Sequence, residues 1–383
     1  MPVALPFFTG RQELLNDLKE RCFSNPWNSE RPSLLLHLHG FAGLGKSETA
    51  IFFANAHLDK ISLVWRIRCD EAWYEIDYRS LAKALNIPLE KETLEQVVDK
   101  VHTKLSMHSL DKSWMILLDG IEKRVPFPER GGIVLSTSQT EKLWQEQETI
   151  PIKPFNLEQT RYFFTNAPFE KRITNLEGLE SLHESLQGWP ILLSNAYTYI
   201  LDTGGTIRDY IQELESIEPL YKKEETSKYP HSLAKAFELT LRRLANPESI
   251  RLLFCCAYLN PNEIHFSIFE KWKKGSSLRW RKEVIHQLEN LSIIRCQNDT
   301  FSLHGLWQSF LKQKLMKDKQ AEQYFRETVG LIKQAGEGFS YEKQETWDRG
   351  RICTQHLGIL KVNDNWQILE GEEGLLILNI AGT

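Results

Sequence analysis

Gly40-Phe41-Ala42-Gly43-Leu44-Gly45-Lys46-Ser47 has the spacing G-x-x-x-x-G-K-[ST], and each fixed position has a mechanical use. Gly40, Gly43 and Gly45 let the backbone turn tightly, so that successive N–H groups point inward and cradle phosphate oxygens. Lys46 brings a cation to β- and γ-phosphates, and the Ser47 hydroxyl suits Mg2+. A helix starting at Lys46 adds its positive N-terminal end. From average residue frequencies the pattern arises by accident in roughly one per cent of chains of this size. Its flanks fit the same purpose. PSLLLHLHG reads as a buried strand entering the loop, and KSETAIFFANAHL as a helix leaving it with Ala50, Phe53 and Ala54 on one face.

A second candidate is Asp119, which ends the apolar run WMILLDG (114–120). Alone, an Asp there serves equally well as a turn cap. Beside a phosphate loop it takes the place of the carboxylate that orients Mg2+.

The elements that must position these groups follow from periodicity. Strands are expected at ISLVWRIRCD (61–70), WMILLDG, GGIVLSTS (131–138) and ETIPIKPF (148–155), with helices WYEIDYRSLAKALN and LEQVVDKVHTKL between the first two. Such alternation predicts an α/β fold, a parallel sheet covered on both faces with ligands at the carboxyl ends of its strands. The expected organisation is a P-loop domain over 1–155, a small helical domain over 156–217, a winged-helix domain over 231–317 and a helical extension over 318–383. EPLYKKEETSKYP (218–230) reads as a polar linker. Within 231–317, helices are expected at SLAKAFELTLRRLA, PESIRLLFCCAYL, IHFSIFEKW and WRKEVIHQLENL, then a hairpin in SIIRCQNDTFSLH and the helix GLWQSFLKQKL. The extension opens with KQAEQYFRETVGLIKQA and ends in the apolar GLLILNIAGT, which needs something to pack against.

Composition excludes several classes. At 383 residues, 41% hydrophobic and a net charge of −4, the chain has the make-up of a globular protein without an electrostatic footprint for nucleic acid. No apolar run reaches membrane-span length, and MPVALPFFTG lacks the regions of a signal peptide. Six cysteines without a C-x-x-C pair read as reduced thiols, which points to the cytoplasm.

FFTGRQELLNDL, GFAGLGKSE, LVWRIRCD, WMILLDGIE, GGIVLSTS, LQGWPILL and FSLHGLWQSFL together resemble, in order and spacing, the NB-ARC branch of the STAND ATPases. These are the nucleotide-binding switch modules of NOD-like immune receptors and apoptotic scaffolds. The likeness spans residues 7–315, and TWDRGRICTQHLGIL (346–360), with Trp347 and His356, is similar to the segment leading into a tetratricopeptide-repeat array in microbial members, although no complete repeat is visible. The resemblance implies ADP or ATP as ligand, with Mg2+ accompanying ATP. It implies that Phe8 to Arg11 pack on and hydrogen-bond the adenine, and that Gly43, Leu44, Gly45, Lys46, Ser47 and Glu48 hold the phosphates. It further implies that Pro190 of Gly188-Trp189-Pro190 touches the base, that His304 reaches the β-phosphate of ADP, that Lys46 and Asp119 serve catalysis, and that Ser47 and Asp119 hold the metal. Read without it, Arg11 is a surface arginine capping a helix over 11–21, Pro190 a first-turn proline and His304 a structural histidine.

Two departures bear on rate. Asp119 is followed by Gly120 where the family often has a second acid, and Glu122 is out of register for that role. Ser138 stands where the family has an arginine that reads the γ-phosphate. Without both groups, hydrolysis should be very slow. The expected function is a switch, monomeric and closed with ADP, open and self-associating with ATP, with effector and sensor domains outside this chain and no membrane partner. The alternative is an ATP-dependent winged-helix transcription regulator. Against it, Arg279, Arg281, Lys282, Arg295, Lys312, Lys314 and Lys317 only mildly outnumber Glu283, Glu289 and Asp299 over 277–317.

Overall fold

The computed structural model describes residues 8–25, 30–70, 73–107, 113–144, 148–166, 172–217, 232–272, 280–340, 343, 346–361 and 363. The expected linker 218–230 and the apolar end GLLILNIAGT lie outside the described residues. The chain divides into two compact units, Met1–Thr174 with Gln187–Ile191, and Asn175–Leu186 with Leu192–Thr383.

In the first unit the apolar runs become β1 (Leu34–His39), β2 (Ile61–Arg68), β3 (Ser113–Asp119), β4 (Gly132–Ser138) and β5 (Thr149–Pro151). All pair in parallel, in the order β2-β3-β4-β1-β5. Their helices are α1 (Gln12–Phe23), α2 (Lys46–Ala56), α3 (Tyr74–Ala84), α4 (Leu94–Ser106) and α5 (Leu157–Asn166). Alternate residues of a strand face opposite ways. Leu35, Trp114, Ile116, Leu118 and Val134 share a core with Tyr78 and Leu81 of α3 and Val97, Val101 and Leu105 of α4. The intervening Met115, Leu117, Ile133 and Leu135 are equally buried, and α2 packs against β3 and β4. Both faces are covered, so these strands read as apolar runs rather than as an alternation. Gly132 is opposite Trp114, whose indole fills the space a side chain would need: a Cβ there would lie 2.1 Å from the ring.

The second unit contains α6 (Leu179–Leu186), most of α7 (Pro190–Thr203), α8 (Ile207–Ser216), α9 (Ser232–Arg242) and α10 (Pro247–Cys256). Local chemistry sets their starts. Thr206 and Asp209 form a capping box on α8, and Asn246 caps α10 with Pro247 at its first position.

IHFSIFEKW does not form the expected helix. Ile264–His265 is a short strand, β6, followed by a 3-10 helix over Phe266–Trp272. Ile264 is buried and pairs with Phe301 of a distant strand, and Phe266, Ile268 and Phe269 are buried in the 3-10 helix that follows. The expected hairpin is present as β7 (Ile294–Gln297) and β8 (Thr300–Leu303), turning on Asn298 at a φ of 53°. With β6 paired to β8 the wing has three strands, in the order β6-β8-β7. WRKEVIHQLENL begins with a π-helical turn, Arg281–Ile285, before the short α11 (His286–Asn290). The unit ends with α12 (Gly305–Lys317), α13 (Ala321–Ala335) and α14 (Trp347–Lys361). No helix among the described residues is long and apolar enough to cross a membrane.

His356 of α14 is completely buried, and its Nδ1 accepts the Asn260 N–H at 3.0 Å. Burial pushes its pKa down to about 3. Because the folded value lies below the unfolded one, the neutral ring's full contribution is present above pH 6.5 and is lost as pH falls towards 3. At pH 5 this histidine should remove about 2 kcal/mol of stability. Urea unfolding at pH 7 and pH 5 should show that loss in the native protein and a smaller one in His356→Gln.

Candidate nucleotide-binding site

The loop Gly40–Ser47 leaves the carboxyl end of β1 and runs into α2, as its flanks require. Gly40 has a φ of 148°, and a Cβ there would sit 2.5 Å from the Ile152 carbonyl oxygen. Gly45 is left-handed at 84° and caps α2 without a side-chain hydrogen bond, leaving backbone N–H groups at the helix start for an anion. Lys46 is buried, and its Nζ donates to the carbonyls of Gly40 at 2.9 Å and Phe41 at 2.8 Å. Burial lowers its pKa to about 8, against the pull of Asp119.

Asp119 gathers donors from three elements. Its Oδ1 accepts from the Ser47 hydroxyl of α2 and the Thr137 hydroxyl of β4, both at 2.6 Å. Its Oδ2 accepts two bonds from Arg66 of β2, from Nε at 2.9 Å and from Nη2. Burial pushes this carboxyl upward, but the guanidinium and the hydroxyl donors outweigh it and hold the pKa below the usual carboxylate range. Ser47 and Asp119 are thus brought together as their sequence positions suggested. The donor set fits Mg2+: when Ser47 gives its proton to Asp119, its oxygen lone pairs remain for a hard cation that takes few protein ligands. Among the described residues no cluster of three or more His, Cys, Asp or Glu could itself hold a metal.

Arg11 is neither at the surface nor a cap. It is buried, its side chain makes no hydrogen bond to the start of α1, and Nη2 donates to the Leu44 carbonyl of the loop at 2.9 Å. The guanidinium carbon lies 4.8 Å from the Phe155 ring centroid, and burial lowers the pKa to about 10. A buried cation bonded to a loop carbonyl braces the loop. Phe8 stacks on Phe52 of α2, with ring centroids 4.4 Å apart. The Gly188-Trp189-Pro190 segment also meets the loop. Gly188 O accepts from Phe155 N at 2.8 Å, Ile191 N donates to Gly43 O at 3.4 Å, and Trp189 stacks with Phe41 at 6.0 Å.

Ser138 is buried, donating to Ile121 O at 2.5 Å and accepting from Thr140 N at 2.9 Å, so its hydroxyl is tied into a turn. Glu122 is exposed. His304 belongs to the second unit, where it caps α12 with Nδ1 accepting Leu306 N–H at 3.1 Å. A neutral ring with that acceptor carries its proton on Nε2. His356, singled out beside Trp347, is a buried structural residue, whereas Trp347 is exposed.

Arg66 and Thr137 escaped the sequence reading. The available signal was a charged residue inside an otherwise apolar strand, since such a group must find a partner.

No protein-family model matches the sequence, and no curated protein matches it. Solved structures do match. A Signal Transduction ATPase with Numerous Domains carrying a tetratricopeptide repeat sensor, from Pyrococcus horikoshii, is similar with a TM-score of 0.54 and 13% identity over 99% of this chain. The match covers 53% of that protein, so this chain spans about half its length. A Walker-type ATPase of Pyrococcus abyssi matches 80% of this chain and 96% of its own, at a TM-score of 0.34 and 15% identity. Cdc6p of Pyrobaculum aerophilum matches 82% and 96%, at 0.40 and 15%. The α/β fold is the one this chain shares with the STAND protein of Pyrococcus horikoshii.

Replacing Arg11 by Met removes the charged donor to Leu44 O. Stability measured by urea unfolding should fall by about 1–3 kcal/mol; an unchanged midpoint would show that the loop needs no brace.

Proposed function

We propose that this chain is an adenine-nucleotide-binding molecular switch of the NB-ARC type that holds ADP or ATP and hydrolyses it slowly. The observation that carries the reading is the convergence of the Gly40–Ser47 loop, the buried Lys46 and the Ser47–Asp119 pair at the carboxyl ends of parallel strands. Gly43, Leu44 and Gly45 supply the cradle, Lys46 its charge, and Ser47 with Asp119 the place for Mg2+ when ATP is bound. Glu48 follows them in the first turn of α2. Phe8, Arg11 and Pro190 are assigned to the adenine side on the strength of the motif likeness, supported by the contacts of their segments with the phosphate loop. His304, with its Nε2 proton, is assigned to the β-phosphate in an ADP-bound closed form.

Slow hydrolysis follows from what surrounds Asp119. The residue after it is a glycine at φ 75°, and the hydroxyl at 138 is committed to Ile121 and Thr140. Neither position offers a base or a γ-phosphate cation, groups worth several orders of magnitude in rate. ATP would favour an open, self-associating form only through a difference in affinity between the two states. Effector and sensor functions would reside outside these residues.

The DNA-binding alternative is less well supported. Lys314 pairs with Glu238 at 3.1 Å and Asp318 at 3.4 Å, and Arg281 with Asp299 at 3.0 Å. Arg279 lies outside the described residues. The mild basic excess is further reduced by these pairs.

Purified, desalted protein should release stoichiometric ADP on denaturation, identified by chromatography. Lys46→Ala should abolish it and His304→Ala should reduce it, with turnover of added ATP below about 0.01 per second. Protein that arrives empty and hydrolyses ATP quickly would exclude the switch.

A further inference from the structure

The Arg66–Asp119 pair is a feature of the site that the switch reading leaves unused. A carboxylate offers about four lone-pair positions, and at Asp119 each is met by a protein donor: two hydroxyls on Oδ1, two guanidinium N–H groups on Oδ2. The pair is well shielded, with 11% of the Asp119 side chain and 31% of the Arg66 side chain exposed. Losing either partner would leave the other desolvated and unpaired, so the pair persists.

The surrounding charges have other commitments. Asp77 of α3 is held by Arg68 of β2 at 2.7 and 2.9 Å, and Glu48 of α2 adds its negative charge near Arg66. Lys46 approaches Asp119 from the loop side. Two fixed cations, Lys46 and Arg66, therefore flank the one carboxylate that would draw a divalent cation to Ser47. Much of the Asp119 charge that strengthens Mg2+ binding at Ser47 is thereby offset by the protein.

We propose that Arg66 supplies at Asp119 the positive charge that Mg2+ would otherwise bring, so that this chain retains a nucleoside diphosphate almost independently of Mg2+. The proposal rests on the nucleotide-binding reading above. Arg66 acts here as a positioning residue: it touches Asp119, not the ligand.

The test compares the affinity for ADP carrying an N-methylanthraniloyl fluorophore in excess Mg2+ and in EDTA. The native protein should show affinities within about threefold of each other, far less than removing a full divalent charge from a metal-dependent site would produce. Arg66→Gln, which keeps a hydrogen-bond donor but no charge, should widen the ratio to about tenfold or more. Arg66→Lys, which keeps the cation without its fork, should stay near the native ratio. A native ratio above about tenfold overturns the proposal without any variant. A folded Arg66→Gln that keeps the native ratio also overturns it and leaves Arg66 a structural clamp. If the native protein binds no ADP in either buffer, the nucleotide reading itself fails and takes this proposal with it. Binding that is tight in both buffers in the native protein, with the ratio widened in Arg66→Gln, upholds both.

Discussion

A carboxylate buried at the end of an apolar strand is untenable unless its charge is matched, and the architecture of the first unit is organised around that requirement at Asp119. β3 is buried along six of its seven residues, so its last residue has little water to turn to. Its partners come from β2 on one side, β4 on the other and the first turn of α2 above the strand ends. No two of these partners are near in sequence. Only the order β2-β3-β4, in parallel and in this register, brings Arg66, Asp119 and Thr137 together at the same end. A register shift of one residue would point Arg66 or Thr137 to the opposite face and strand the charge. The site and the sheet order thus constrain each other.

The parts of this arrangement readable from sequence are those encoded within one short segment. The loop Gly40–Ser47 carries its own turn geometry, and the flanking strand and helix announce themselves by period, so the P-loop fold and the Ser47–Asp119 pairing were legible. Arg66 was not, because its meaning depends on which strand lies beside β2, a fact of topology. The reading of Arg11 as a surface cap, made without the resemblance, failed for a related reason. Beside a helix start, an arginine is usually solvated, and only the arrival of Leu44 and Phe155 from distant segments makes it buried. β6 was misassigned because Ile264, Phe266, Ile268 and Phe269 fit either period over so short a run, and the deciding partner, Phe301, is far along the chain.

The phosphate loop is held from outside as well as from within. Arg11 bonds Leu44, Ile191 bonds Gly43, Phe41 stacks on Trp189, and the Ile152 carbonyl crowds Gly40. Each contact fixes a residue of a loop that turns through positive φ at Gly40, Gly43 and Gly45, and ordering it before a ligand arrives lowers the entropy lost on binding. Three separate segments therefore serve the rigidity of eight residues. That investment suits retention. A site that must release product at each turnover gains little from it.

Retention alone does not make a switch. Two nucleotides shift a conformational equilibrium only to the extent that they bind its two states differently. The cations at the loop and at Asp119 are Arg11, Lys46 and Arg66; Arg11 bonds Leu44 O, Arg66 is committed to Asp119, and Lys46 bonds the loop's own carbonyls. Ser138, the position from which a third phosphate could be read, carries a hydroxyl already tied to Ile121. On the nucleotide reading, this unit grips the phosphates that ADP and ATP share and has little with which to tell them apart. Discrimination must then come from groups outside it, in the second unit or in another copy of the chain. On the same reading, that division of labour would separate affinity from signal: the sheet and its loop would set how long a nucleotide stays, and whatever meets its terminal phosphate would set what its identity means.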